Sequence, residues 1–124
     1  MTILKCAMAA LMLALLSGVA RAGGDAARGA VKFQECAACH TLEAAVNNVG
    51  PSLHGIIGRK AGAIADFRYS PAMKRSGLTW TPETLDKFMT DPQAMVPANR
   101  MPYAGLADAG ARADLVAFLQ KSSQ

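Results

Sequence analysis

Polar and apolar positions divide the chain into two regions of different character. Residues 6–19 form a nearly continuous apolar run of Ala, Leu and Met, whereas beyond residue 24 apolar positions recur at helical spacing in separate stretches. Over 25–36, Asp25 precedes Ala26, Ala27, Ala30 and Phe33 among polar residues, the pattern of a helix with a carboxylate at its N-cap. Thr81 followed by Pro82 marks a second helix start, because proline at the first helical position gives up an N–H that has no partner there anyway. That helix sets Leu85, Phe88 and Met89 on one face and should end before Pro92. Asp108 heads a last helix with an apolar face of Leu115, Phe118 and Leu119, and 71–75 can hold a short one. Residues 41–66 carry Gly50, Pro51, Gly55, Gly58 and Gly62, and residues 95–106 carry Pro97, Pro102 and Gly105, so both stretches read as irregular. No period-two alternation and no βαβ pattern occurs. The expected fold is all-α, helices joined by long loops, and loops that long in a small domain usually wrap something functional.

The apolar run near the start belongs to a different category. A short charged opening with Lys5, the run itself, and the small-x-small sequence Ala20-Arg21-Ala22 make residues 1–22 read as a cleaved secretory signal peptide. The run is shorter than the roughly 20 residues a membrane-spanning helix needs. The expectation is an exported single domain, residues 23–124, without a membrane anchor and without Cys6, and periplasmic if the source is a bacterium.

Composition narrows the picture further. A chain of 124 residues holds one domain. Its formal net charge of +4 falls by two once Lys5 and Arg21 leave with the leader. No basic stripe or aromatic RNA-binding motif appears, which excludes a nucleic-acid binder. The 52% hydrophobic share is swollen by the leader and by alanine, leaving few large side chains for a core. A disulfide between the two remaining cysteines, Cys36 and Cys39, would close almost no loop. A large bound cofactor would complete the centre better.

Cys36-Ala37-Ala38-Cys39-His40 names such a cofactor. C-x-x-C-H is the attachment pattern of c-type haem: two thiols three positions apart lie on one side of a helical turn and reach two vinyl groups, and the next residue turns its imidazole to the iron. The rival readings are a redox dithiol, which needs a βαβ context, and a zinc site that would recruit His54 as a fourth ligand. For a second axial ligand the candidates are Met73, Met89, Met95, Met101 and His54. Met89 lies on an apolar helix face and reads as core, and Met73 as packing from its short helix. Met95 and Met101 both sit in irregular chain, free to aim a thioether inward.

Further segments in the same order make residues 24–121 resemble a class I cytochrome c, and within that group the bacterial cytochromes c2 and mitochondrial cytochrome c. They are Gly50-Pro51-Ser52-Leu53-His54-Gly55, Gly58-Arg59-Lys60, Phe67-Arg68-Tyr69, Gly77-Leu78-Thr79-Trp80, Asn99-Arg100-Met101-Pro102-Tyr103-Ala104-Gly105-Leu106 and Asp114-Leu115-Val116-Ala117-Phe118-Leu119. The resemblance implies one haem c, bound covalently through Cys36 and Cys39, with His40 and Met101 as iron ligands and His54 on the His40 side. It implies that the Pro51 carbonyl accepts the His40 N–H, that Leu53, Leu85, Phe88 and Tyr103 line the pocket, and that Arg59, Tyr69 and Trp80 meet a haem propionate, since a buried carboxylate is costly unless paired. Phe88 departs from the hydroxylated residue of mitochondrial forms. Gly29 and Phe33 are expected to pack on Leu115 and Phe118.

The function so implied is that of a one-electron carrier, monomeric and not an enzyme. It would dock transiently with membrane or periplasmic redox proteins, between a quinol-oxidising complex or dehydrogenase and an oxidase or reaction centre. Lys32, Lys74, Lys87 and Arg100 are candidates for steering acidic partners. The alternative class is a small haem sensor or peroxidase-like protein with a labile sixth ligand, for which the sequence offers no distal acid–base pair.

Overall fold

The computed structural model describes residues 23–124; the expected leader, with Cys6, lies outside them. Five helices follow in order: α1 (Ala26–Ala37), α2 (Pro71–Arg75), α3 (Pro82–Thr90), α4 (Pro92–Met95) and α5 (Ala109–Ser122). Each begins at a side-chain cap. Asp25, Ser70, Thr81, Asp91 and Asp108 accept a backbone N–H from the first turn of α1 to α5 respectively, and α2, α3 and α4 each start on proline. Thr81 and Thr84 bond reciprocally, closing both free ends of the α3 entry.

The helix α4 departs from the expected irregular stretch only in taking Met95 as its last residue. Pro92, read from sequence as a break, does two things: it stops α3 and, with Asp91 as cap, starts the next turn. Among the described residues, strand-like pairing is limited to an antiparallel bridge between Lys60 and Thr79. Hydrogen bonds from Trp80 N to Arg59 O (2.8 Å), Gly58 N to Trp80 O (2.7 Å) and Ala61 N to Leu78 O (2.8 Å) extend it. Two distant loops are thereby stitched together, and Arg59 and Trp80 become neighbours.

The main helix pair is α1 on α5, as expected. Gly29 lies so close to α5 that a Cβ would collide with the Asp114 backbone, which explains glycine inside a helix. Phe33 and Phe118 stack at 5.0 Å between ring centroids. Leu85, Phe88, Trp80, Leu115 and Leu119 fill the space below, with Trp80 and Phe88 rings 5.0 Å apart. At the far end of α5, Gly55 N donates to the Ser123 carbonyl, fastening the loop after Leu53 to the C-terminus.

A polar clamp closes the other end of the α1–α5 pair. Asp114 accepts from Asp25 N (2.6 Å) and from Arg28 Nε (2.9 Å) and Nη2 (3.2 Å). The Arg28 side chain, then the Asp25 amide, hold the Asp114 carboxyl below the usual carboxylate range. Because folding depresses this pKa, the stability it contributes is complete above the unfolded value of about 3.9 and is lost as pH falls through the folded value. Asp114→Asn should therefore melt a few degrees below the parent near neutral pH. The two melting curves should converge as pH falls through the folded value of the parent carboxyl. Circular dichroism melts across that range check it; a constant gap at all pH values would contradict it.

Candidate functional site

A cavity of about 340 Å³ lies between α1, α3, α5 and the loops around residues 49–59, 67–70 and 99–103. Cys36 sits in the last turn of α1, and its carbonyl accepts from both Cys39 N (3.0 Å) and His40 N (2.9 Å). This continued turn carries Cys36, Cys39 and His40 to the same cavity wall. The two cysteines are not joined to each other, and burial pushes the Cys36 thiol upward, with the neighbouring Glu35 charge adding to it.

His40 is held on two sides by consecutive residues. Its Nδ1 lies 2.7 Å from the Pro51 carbonyl. A carbonyl only accepts, so Nδ1 carries the hydrogen and Nε2 keeps a free lone pair. Gly50 lies flat against the ring: a Cβ there would stand 2.5 Å from Cε1. Gly50 N also donates to Cys39 O (2.8 Å), tying this loop to the cysteine turn. Burial lowers the His40 pKa, against the Pro51 bond that raises it, and the Arg59 charge lowers it further. The imidazole is therefore neutral at physiological pH, the state a metal ligand needs.

Met101 lines the same cavity from the segment between α4 and α5. Its backbone is pinned on both sides, N–H to Asn99 Oδ1 (2.9 Å) and carbonyl from Tyr103 N (2.9 Å). Met73 and Met89 also line the wall. Met95, the other candidate in irregular chain, packs against the core instead, and neither it nor His54 reaches the cavity lining. The His54 carbonyl serves as an acceptor for Arg59.

Arg59 donates Nη1 to His54 O (3.0 Å) and Nη2 to Ser52 O (2.9 Å). Its Nε is buried with no protein acceptor, and burial lowers the guanidinium pKa. A buried charged donor without a partner calls for an anionic acceptor. Tyr69, Trp80, Pro51, Leu53 and Tyr103 share this cavity, so every site residue read from the sequence falls on one wall system. Sequence reasoning missed two contributors. Gly50 acts by close approach rather than by unusual dihedral, which leaves no trace in local pattern. Asn99 showed the short-range signature of an Asn bonding two residues ahead, which was open to reading.

These residues fit a haem. The walls are mostly apolar, two thiols stand beside a neutral imidazole, a thioether is within the same cavity, and an unsatisfied guanidinium N–H awaits a carboxylate. The zinc alternative has no support, because no group of three His, Cys, Asp or Glu able to hold a bare ion occurs among the described residues. A redox dithiol lacks its strand–helix–strand setting.

Comparison with known proteins points the same way. Residues 26–123 match the model of the family described as cytochrome c. The chain is 46% identical over 98 residues to cytochrome c2 of Rhodoplanes tepidamans, covering 78% of this chain and 92% of that one. It is 42% identical over 120 residues to cytochrome c2 of Rhodomicrobium vannielii, covering 96% and 95% respectively. Among solved structures, cytochrome cH from Methylobacterium extorquens superposes with a TM-score of 0.75 at 42% identity, over 79% of this chain and 99% of that one.

The Gly50 contact yields a test. In Gly50→Ala the new methyl must displace the His40 ring or the loop, an overpacking cost of about 1–3 kcal/mol. The thermal midpoint of the cofactor-loaded protein should drop by several degrees. An unchanged midpoint would mean that the ring is not seated on this glycine.

Proposed function

The chain belongs to the cytochrome c family, and from that premise we propose that it is a periplasmic carrier of single electrons, with one haem c joined to Cys36 and Cys39 and its iron held between His40 and Met101. As a class I c-type cytochrome it is an electron carrier with covalently bound haem; the ligands, the compartment and the partners are our reading. The observation that carries it is the convergence on one cavity of both cysteines, a neutral imidazole with Nε2 free, and the Met101 thioether.

Haem, when bound, supplies an iron that cycles between ferric and ferrous states. Everything else is done by side chains. Thioether links at Cys36 and Cys39 would confine His40, which follows Cys39 directly. The Nδ1–H bond to Pro51 fixes the tautomer and the ring plane. Met101 offers a soft neutral sulfur, which favours the reduced ion and raises the potential relative to a second histidine. With His40 and Met101 both holding the iron, no place would remain for a substrate, and the site would pass charge rather than transform molecules. Arg59 Nε, with Tyr69 and Trp80 on the same cavity wall, would meet a propionate. Phe88, packed on Trp80, adds an apolar wall where a hydroxyl would add polarity. Pinned ligands limit rearrangement between oxidation states.

Residues 1–22 act in this reading as a cleaved leader, on the strength of their charge, apolar run and Ala20-Arg21-Ala22 ending. No helix among the described residues is long and apolar enough to cross a membrane. Partners are acidic faces of membrane or periplasmic redox proteins, such as a quinol-oxidising complex, a dehydrogenase, an oxidase or a reaction centre. Arg28, Lys32 and Arg112 are ion-paired, Lys32 with Glu35 at 2.7 Å. Lys32 is thereby weakened as a steering charge. Lys60, Arg68, Lys74, Arg75 and Arg100 are exposed and form no ion pair among the described residues; Arg68 and Arg100 border the cavity. Lys74 and Arg100 of the sequence-suggested ring belong to this group; Lys87, on α3, is likewise exposed without an ion pair but does not line the cavity.

Two measurements test the proposal. Met101→Ala should keep its haem attached yet lose the sulfur-to-iron charge-transfer band, turn high-spin in the ferric state and fall in midpoint potential. An unchanged spectrum would remove Met101 as ligand. Arg100→Glu should slow electron transfer to an acidic partner severalfold at low ionic strength, with the difference vanishing in high salt. Equal rates at low salt would contradict steering by this face.

A further inference from the structure

The segment that carries Met101 leaves α4 through a strained step and is then caught by one side chain. Ala98 adopts φ +66°, a left-handed conformation that costs a non-glycine residue about 1 kcal/mol or more. The next residue, Asn99, is buried, and every polar group it has is engaged. Its Nδ2 donates to Pro92 O (3.0 Å) and Val96 O (2.9 Å), the carbonyls at the two ends of the α4 turn. Its Oδ1 accepts from Met101 N (2.9 Å). Its own N–H donates to Val96 O (3.1 Å), and its carbonyl accepts from Gln93 Nε2 (2.9 Å). A single carboxamide thus joins the helix end on one side to the Met101 backbone on the other.

We propose that Asn99 is a positioning residue, whose carboxamide holds the Met101 segment against α4 and so sets how readily the Met101 thioether gives up its place in the cavity. The proposal rests on the reading of Met101 as iron ligand. A four-residue turn closes on few backbone bonds: Pro92 O accepts from Val96 N (2.9 Å) and Val96 O from Asn99 N (3.1 Å), and the amide gives each carbonyl a second donor. Without the amide, the Met101 N–H loses its partner, the Pro92 and Val96 carbonyls each lose one of two donors, and the strain at Ala98 has less to oppose it. The segment then swings out more often, and the position it guards opens to a small ligand. Gln93, which bonds only the Asn99 main-chain carbonyl, supports the loop without linking it to Met101.

Imidazole, titrated into the ferric haem-loaded protein, competes with the thioether and reads this opening; hydrogen exchange at the Met101 N–H reads it independently. In Asn99→Ala, imidazole should bind about tenfold more tightly, and the Met101 amide should exchange about tenfold faster, the size expected for a lost buried hydrogen bond. The Leu115 amide, in the α5 core, should keep its rate. Gln93→Ala should change both readings less than twofold. Where Asn99→Ala does not fold, Asn99→Ser takes its place, since serine retains a short acceptor but cannot span to Pro92 and Val96. Unchanged imidazole affinity, equal acceleration at Met101 and Leu115, or a Gln93→Ala effect equal to that of the Asn99 variant would each overturn the proposal. Failure of the ligand reading shows separately: Met101→Ala would then keep the sulfur-to-iron band, and imidazole affinity would not follow the Met101 exchange rate.

Discussion

The seating of one imidazole organises this protein. His40 is pressed on its face by Gly50 and fixed at its edge by the Pro51 carbonyl, two adjacent residues that act in perpendicular directions. A ring held so cannot tilt or change tautomer without moving the loop, and the loop cannot move without releasing Cys39, whose carbonyl binds Gly50 N. The cysteine turn, the imidazole and the loop therefore behave as one rigid unit. Neutrality follows from the same enclosure, because burial outweighs the Pro51 bond in setting the ring's pKa.

The remainder of the fold delivers partners to that unit. Helices α1 and α5 meet through a glycine that admits backbone contact and an aromatic pair that fills the space beside it. Around this pair the long loops take their places by local bonds rather than by sheet pairing. The short bridge between Lys60 and Thr79 sets Arg59 beside Trp80, which is how a charged side chain comes to have a buried, unsatisfied nitrogen at the cavity wall. Two of its three nitrogens serve the loop, and the third has no acceptor in the protein. Arg59 is thus a structural strut with one donor to spare, which is what the proposed propionate contact draws on.

The helices were legible because their starts are written in side chains: Asp25, Thr81 with Pro82, and Asp108 all cap as their spacing indicates. The short helix α4 was hidden because Pro92 ends one helix and begins another, and pattern reading sees only the interruption. The haem motif and the residues of the cavity wall were legible through five contiguous residues and through family resemblance. What the chain does not advertise is non-local. Nothing near Gly50 in sequence states that an imidazole ten residues earlier will lie on it, and nothing near Arg59 states that Ser52 and His54 will claim two of its nitrogens. Distinguishing Met95 from Met101 by residue type alone was likewise closed, since both stood in irregular chain. Their separation comes from the cavity lining, which Met101 joins and Met95, the last residue of α4, does not.

The uneven placement of charge has a kinetic consequence. Arg28, Lys32 and Arg112 are paired with nearby acids and Lys87 and Lys121 stand apart on α3 and α5, while the cations from Lys60 to Arg75, joined by Arg100, are exposed without an ion pair. A molecule of small net charge with its unpaired cations gathered on one side feels more torque than pull in the field of an acidic surface. On the proposed carrier role it would turn its cavity rim forward before touching, and once touching would be held only weakly. Alignment without adhesion lets a shuttle find the correct face quickly and still depart soon enough to be used again.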